Sequence, residues 1–176
     1  MASLLRSVLC GAVAFSLSAA RVSLADDTVT IDLRGRVRAA CTVSMHSARV
    51  DLGDIMDSAA RTIPIHFYCN APFTYEMRSR YGGLRHVRIS SASPHFRVVV
   101  PYVVVTRLPT SAGDIVDTCA SGDLAAEPVR CRMSDSGSGI SIDREASLTV
   151  TFPDDTRVPL AGRYRDVISL AFSPRY

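Results

Sequence analysis

The chain has 176 residues, 20 of them basic and 17 acidic, for a formal net charge of +3. All the basic residues are arginine, so chemistry that needs a Schiff-base or phosphate-loop lysine is excluded. The weak charge balance gives no general case for binding nucleic acid or anionic membrane.

At the N-terminus, Arg6 precedes the apolar run SVLCGAVAFSL, which has the length of a secretory h-region and is too short to span a bilayer. Residues 1–25 therefore read as a signal peptide. Ser23 and Ala25 suit cleavage before Asp26, with Ser18 and Ala20 as a second site. A lipid anchor at Cys10 is disfavoured because Leu9 stands where a small residue is expected and the apolar run continues past it. Removing Arg6 and Arg21 leaves 18 basic residues against 17 acids, a charge near +1. The roughly 150 residues that remain suit one domain with a sizeable core.

The stretch VTIDLRGRVRAACTV, residues 29–43, follows. Val29, Ile31, Leu33, Val37, Ala39, Cys41 and Val43 hold odd positions, and Thr30, Asp32, Arg34, Arg36 and Arg38 lie between them. Side chains of a strand alternate faces, so the pattern predicts one long half-buried strand. Whether its apolar face fills its own core or that of another molecule is left open by the pattern.

Strand signals continue along the chain. In RTIPIHFYC, Ile63, Ile65, Phe67 and Cys69 share a face, and in PFTYEMRSR, Phe73, Tyr75 and Met77 do so. The turn YGG then allows a reversal. FRVVVPYVVVTRL predicts a strand covered on both faces, with Pro101 marking a bulge or an edge. Residues 110–145, rich in Gly, Ser and Asp, read as a long loop region. SLTVTF presents Leu148, Val150 and Phe152 on one side, and at the C-terminus Ile168, Leu170, Phe172, Pro174 and Tyr176 alternate to the last residue. No amphipathic helix, repeat or linker stands out, and short strands between turns predict an all-β sandwich.

Four cysteines follow the leader: Cys41, Cys69, Cys119 and Cys131. An even count in an exported chain implies two disulfides with three possible connectivities. Chain order favours Cys41 with Cys69, tying two strands, and Cys119 with Cys131, closing a loop. A zinc site is the rival reading, but there is no C-x-x-C, and His46, His66, His86 and His95 lack ligand spacing.

Catalytic readings are weak. Ser136 and Ser138 in DSGSGIS lack the G-x-S-x-G elbow, and Asp154 and Asp155 occupy a Pro-flanked turn. The histidines read as surface or strand residues without recognisable partners. Neither an enzyme nor a cofactor is expected. A binding module is the stronger competitor. Arg78 and Arg80 share a strand face, with Arg85, His86 and Arg88 just beyond the turn, so this hairpin would offer a basic patch to an acidic ligand.

Several segments together resemble the chaperone-usher pilins, and within them the spore coat protein U-like subunits of the archaic type. These are the alternating run before AACTV, RVDLGD, IHFYCNAPFTYEM, and PLAGRYRDVISLAF, which resembles the family's Gly-x-Tyr-x-Asp signature leading into a final strand. Their order covers most of residues 28–75 and 146–176.

The resemblance implies an incomplete immunoglobulin-like β-sandwich, residues 37–176, that lacks its last strand and so exposes an apolar groove. It implies a periplasmic chaperone filling that groove until, at an outer-membrane usher, the N-terminal extension of a neighbouring pilin subunit replaces it. On this chain residues 26–36 would be the donor segment, with Val29, Ile31, Leu33 and Val37 as donor side chains. Ile168, Leu170 and Phe172 would line the groove and pair with the chaperone, and the Tyr176 carboxylate would anchor at a basic site on it. Cys41 to Cys69 would be the family's conventional bridge, whereas the Cys119 to Cys131 loop matches no family feature. The expected product is a fimbrium at the cell surface, structural or adhesive in function.

Overall fold

The computed structural model describes residues 29–45, 49–57, 60–91, 94–153 and 158–175. The signal segment 1–25, His46, Asp154, Asp155 and Tyr176 lie outside the described residues. Two units are distinguished, Met1–Arg36 and Val37–Tyr176.

In the first unit, residues 29–36 form no strand. Val29, Ile31 and Leu33 are exposed at 82%, 74% and 88%, and Arg34 ion-pairs with Asp32 at 2.8 Å. This corrects the expectation of one long half-buried strand. Strand pairing begins only at Cys41, and Val37, in the second unit, is also exposed. The alternating pattern fixes which side chains share a face, but a strand also needs a backbone partner, and the pattern does not supply one.

Among its described residues the second unit is all-β apart from one helical turn, with several mainly antiparallel sheets in an arrangement consistent with a β-sandwich. Its large sheet has the order β1 (Cys41–Ser44), β2 (Arg61–Cys69), β9 (Ser141–Thr151), β7 (Val103–Thr110), β8 (Gly113–Ala120). The strands β4 (Leu84–His86), β6 (Val99–Val100) and β11 (Tyr164–Arg165) form a three-stranded sheet with β4 in the middle. A parallel pair joins β5 (Phe96–Arg97) to β10 (Val158–Pro159), and β12 (Ile168–Pro174) pairs with β3 (Phe73–Ser79).

The strict alternation of β2 and β3 is realised as expected. Ile65, Phe67 and Cys69 on β2, and Phe73, Tyr75 and Met77 on β3, are buried, while the residues between them face outward. Ala146, Leu148 and Val150 on β9 and Val104 and Leu108 on β7 complete the core. Each such side chain contributes roughly 1.5 to 3 kcal/mol if fully buried, Ala less.

Both disulfides form as the chain order suggested, Cys41–Cys69 and Cys119–Cys131. Cys41 and Cys69 are direct register partners across β1 and β2. Asn70 extends that pairing: its side chain accepts from Ala40 N at 2.7 Å and donates to the Arg38 carbonyl at 3.0 Å.

Three expectations are corrected here. The run 96–108 is not one strand. The chain leaves the small sheet after β6 and enters the large one at β7, with Pro101 in the gap, where its missing N–H removes no ladder bond. Residues 110–145 are not all loop: β8 pairs with β7 through the tight turn Ser111–Ala112, a helical turn α1 (Ser121–Leu124) follows, and β9 begins at Ser141. Finally, β3 and β4 do not form a hairpin, because β4 pairs with β6 and β11 instead. Gly83 sits at that junction with φ +154°, and a Cβ there would come within 2.7 Å of the Val100 carbonyl oxygen.

Candidate assembly edge

β12 pairs with β3 over seven register positions, from Ile168 opposite Ser79 to Pro174 opposite Phe73. Among the described residues it has no partner on its other side. The flanking bonds Arg175 N to Pro72 O at 2.6 Å and Arg80 N to Val167 O at 2.9 Å set the phase of the ladder. Hydrogen bonding alternates along an antiparallel strand, so Ser169, Ala171 and Ser173 turn their backbone groups to β3. The amides and carbonyls of Ile168, Leu170 and Phe172 therefore point to the open edge. Pro174, with no N–H to offer, falls on that same edge.

The side chains of Ile168, Leu170 and Phe172 pack on the core but remain half-buried. Phe172 is the best held: its ring centre lies 4.4 Å from that of Phe67, and it stacks on Tyr75 at 5.6 Å. The sequence pattern thus brings all three to one face. β1, the edge of the large sheet, approaches β12 within 8 Å between Cα atoms, yet no ladder joins them.

The opposite edge of β3 is flanked by residues 121–136. Ser121 Oγ donates to the Gly82 carbonyl at 2.9 Å, Glu127 ion-pairs with Arg78 at 3.0 Å, and Ser136 N donates to the Phe73 carbonyl at 3.0 Å. The segment therefore runs from the end of β3 back to its start, and the Cys119–Cys131 bridge closes its first part, up to Cys131. Ser136 is buried, and its Oγ accepts from Phe73 N at 2.7 Å, which gives it a structural use.

Two tyrosine–aspartate pairs lock the framework. Tyr75 donates its hydroxyl to Asp117, which also accepts from Ser134 N and Oγ at 2.9 and 2.7 Å, tying β3, β8 and the stretch just after the disulfide loop together. Tyr102 and Ser79 both donate to Asp166 at 2.6 Å, and the amides of Tyr81 and Val167 fill its other oxygen. Burial, then the neighbouring carboxylate, push both phenols well above the ordinary tyrosine range.

Asp166 ends the Gly-x-Tyr-x-Asp stretch, whose other members are also structural. A Cβ on Gly162 (φ +150°) would overlap Nε2 of His86, and the Tyr164 hydroxyl donates to the Leu160 carbonyl at 2.6 Å. His86 is a strand residue of β4, but it is buried and, contrary to expectation, has partners. Its Nδ1 accepts from Ile89 N at 2.9 Å and Arg88 N at 3.2 Å, and Tyr164 lies edge-on at 5.2 Å.

The expected arginine hairpin is not brought together as such. Arg78 is engaged with Glu127, Arg80 and Arg85 flank the Tyr81 ring, and Arg88 is exposed beyond β4. Among the described residues no helix is long and apolar enough to cross a membrane, and the two disulfides point to an oxidising compartment. In comparisons with protein-family models and with curated proteins, the chain matches none of them.

Proposed function

We propose that the chain is a non-enzymatic structural or adhesive subunit of a surface fibre, assembled by donor-strand exchange. A periplasmic chaperone would first cover the open edge, and at an outer-membrane usher the segment 26–36 of a neighbouring subunit would replace it. The observation that carries the reading is the unpaired, half-buried edge Ile168–Leu170–Phe172. An edge of this kind is an aggregation hazard unless something covers it.

The run Val29–Ile31–Leu33 has the complementary character, three exposed apolar side chains at alternate positions. Strand addition would bury three or four side chains at roughly 1.5 to 3 kcal/mol each. Backbone bonds would add about 0.5 to 1.5 kcal/mol each. Such a contact is stable and slow to exchange without ATP. Pro174 would end the new ladder at Phe172.

The test is the assembly state of the oxidised protein recovered from periplasm, with and without residues 26–35. The expected result is SDS-resistant polymer from the full chain and chaperone-bound monomer from the truncated one. Soluble, chaperone-free monomers from both would overturn the reading.

A further inference from the structure

Arg85 on β4 and Arg165 on β11 are direct register partners, and both side chains are exposed. Side chains directly opposite in an antiparallel pair have Cβ atoms about 4.5 to 5.5 Å apart, and like charges there destabilise the sheet. On the other side of Arg85 the partner is Val99, so this row across the three strands contains no carboxylate.

Two further groups join the row. The guanidinium carbons of Arg80 and Arg85 lie 5.4 and 5.8 Å from the centre of the Tyr81 ring. Cation–π attraction of this kind orients the two guanidiniums without neutralising them. Arg34, Arg78, Arg107 and Arg175 each reach a carboxylate, whereas Arg80, Arg85 and Arg165 make no ion pair among the described residues. Asp166, next to Arg165 in sequence, has its oxygens taken by Ser79, Tyr102, Tyr81 and Val167.

A like-charged cross-strand pair beside a third uncompensated arginine is an arrangement that an anionic ligand would relieve. Guanidinium forks suit carboxylate and sulfate groups, which they bind in bidentate fashion. We infer that Arg80, Arg85 and Arg165, braced on Tyr81, form a binding site for an acidic polysaccharide. One aromatic ring, already flanked by guanidiniums, provides no stacking platform for successive bases, and the net charge of +3 is too small for a general nucleic-acid field. Arg85 and Arg165 lie on β4 and β11, and Arg80 and Tyr81 just beyond the end of β3, none of them on the open edge of β12, so the site stands independently of the fibre reading.

The experiment measures binding of the purified, oxidised protein to polygalacturonate, heparin, dextran, single-stranded DNA and phosphatidylglycerol vesicles. The expected result is binding to polygalacturonate or heparin, none to dextran, and a loss of tenfold or more between about 50 and 200 mM salt. Binding to polygalacturonate would show that carboxylates suffice, and binding to heparin alone would show that the site needs sulfate. Arg85→Gln with Arg165→Gln is expected to weaken binding at least tenfold, and Arg107→Gln, whose partner is Asp114, to leave it unchanged. Arg85→Gln alone is expected to raise the melting temperature while weakening binding, because it removes the like-charge pair. No binding to either acidic polymer, undiminished binding by the double variant, or tighter binding to DNA or vesicles would each overturn the proposal.

Discussion

Leu170 and Met77 are register partners on β12 and β3, yet Met77 is 1% exposed while Leu170 is only half-buried. Phe172 and Tyr75 repeat the contrast one step along the ladder. The two strands share a sheet, so the difference comes from what lies beyond them: residues 121–136 beside β3, and, among the described residues, nothing paired beside β12.

That contrast separates folding from assembly. Met77→Ala is expected to cost about 2 to 5 kcal/mol of stability, as for large-to-small changes in a packed core. Leu170→Gln removes a half-buried contact and is expected to cost only about 1 kcal/mol. It should nevertheless abolish SDS-resistant polymer. Urea unfolding of the chaperone-free or chaperone-released subunit, set beside gel analysis of polymer, checks both. Polymer that survives Leu170→Gln would count against the β12 edge as the assembly surface.

Stability at high pH follows from the two phenols. Tyr75 and Tyr102 have raised folded-state values, through burial first and then Asp117 and Asp166. Below the ordinary tyrosine value near 10 both states keep these protons and no dependence arises. Above it the unfolded chain releases them while the folded chain retains them, so stability falls as pH rises, by about one proton per tyrosine. Tyr102→Phe should remove about one proton from that slope, and Tyr75→Phe with it about two. Short-time urea titrations between about pH 9 and 11.5 check the sign.

The strands β2, β3 and β12 were legible because each alternates strictly over seven or more residues and each presents one face to the core. The strand β8 was hidden by its inward-facing Asp117, which sits between buried Ile115 and Cys119 and breaks the apolar period. Only the Tyr75 and Ser134 donors make that carboxylate acceptable there, and no local pattern announces them. At the N-terminal run, the period was readable and the absence of a backbone partner was not. The arginine set failed for a related reason. Neighbours in sequence, Arg78 and Arg88, dropped out, and Arg165 entered from 80 positions beyond Arg85 through the β4–β11 register.

Gly162 tests whether the Gly-x-Tyr-x-Asp stretch is structural. Its φ of +150° suits glycine, and an added Cβ would collide with the His86 imidazole. His86 is fixed in turn by two backbone amides and the Tyr164 ring. Gly162→Ala is therefore expected to lower stability by about 1 to 3 kcal/mol, as for strained backbone sites. Gly162→Ala with His86→Ala should recover the part due to collision but not the part due to φ. Melting temperatures of Gly162→Ala, His86→Ala and the double variant separate the two contributions.

The second disulfide has a more specific expected effect than lost stability. Its 12-residue separation gives about 3 kcal/mol by the chain-entropy estimate. The backbone groups of Tyr75 and Met77 point the same way as those of Phe73, toward residues 121–136, whose first part the bridge closes. In Cys119→Ser with Cys131→Ser, the amides of Tyr75 and Met77 should exchange faster with solvent by more than the global loss of stability explains. Those of Thr74 and Glu76, bonded to β12, should follow only the global change. Equal acceleration at all four amides would mean that the bridge stabilises the fold without shielding the β3 edge. A selective increase would mean that the disulfide keeps one edge of the β3–β12 pair closed, so that an incoming strand meets β12 alone.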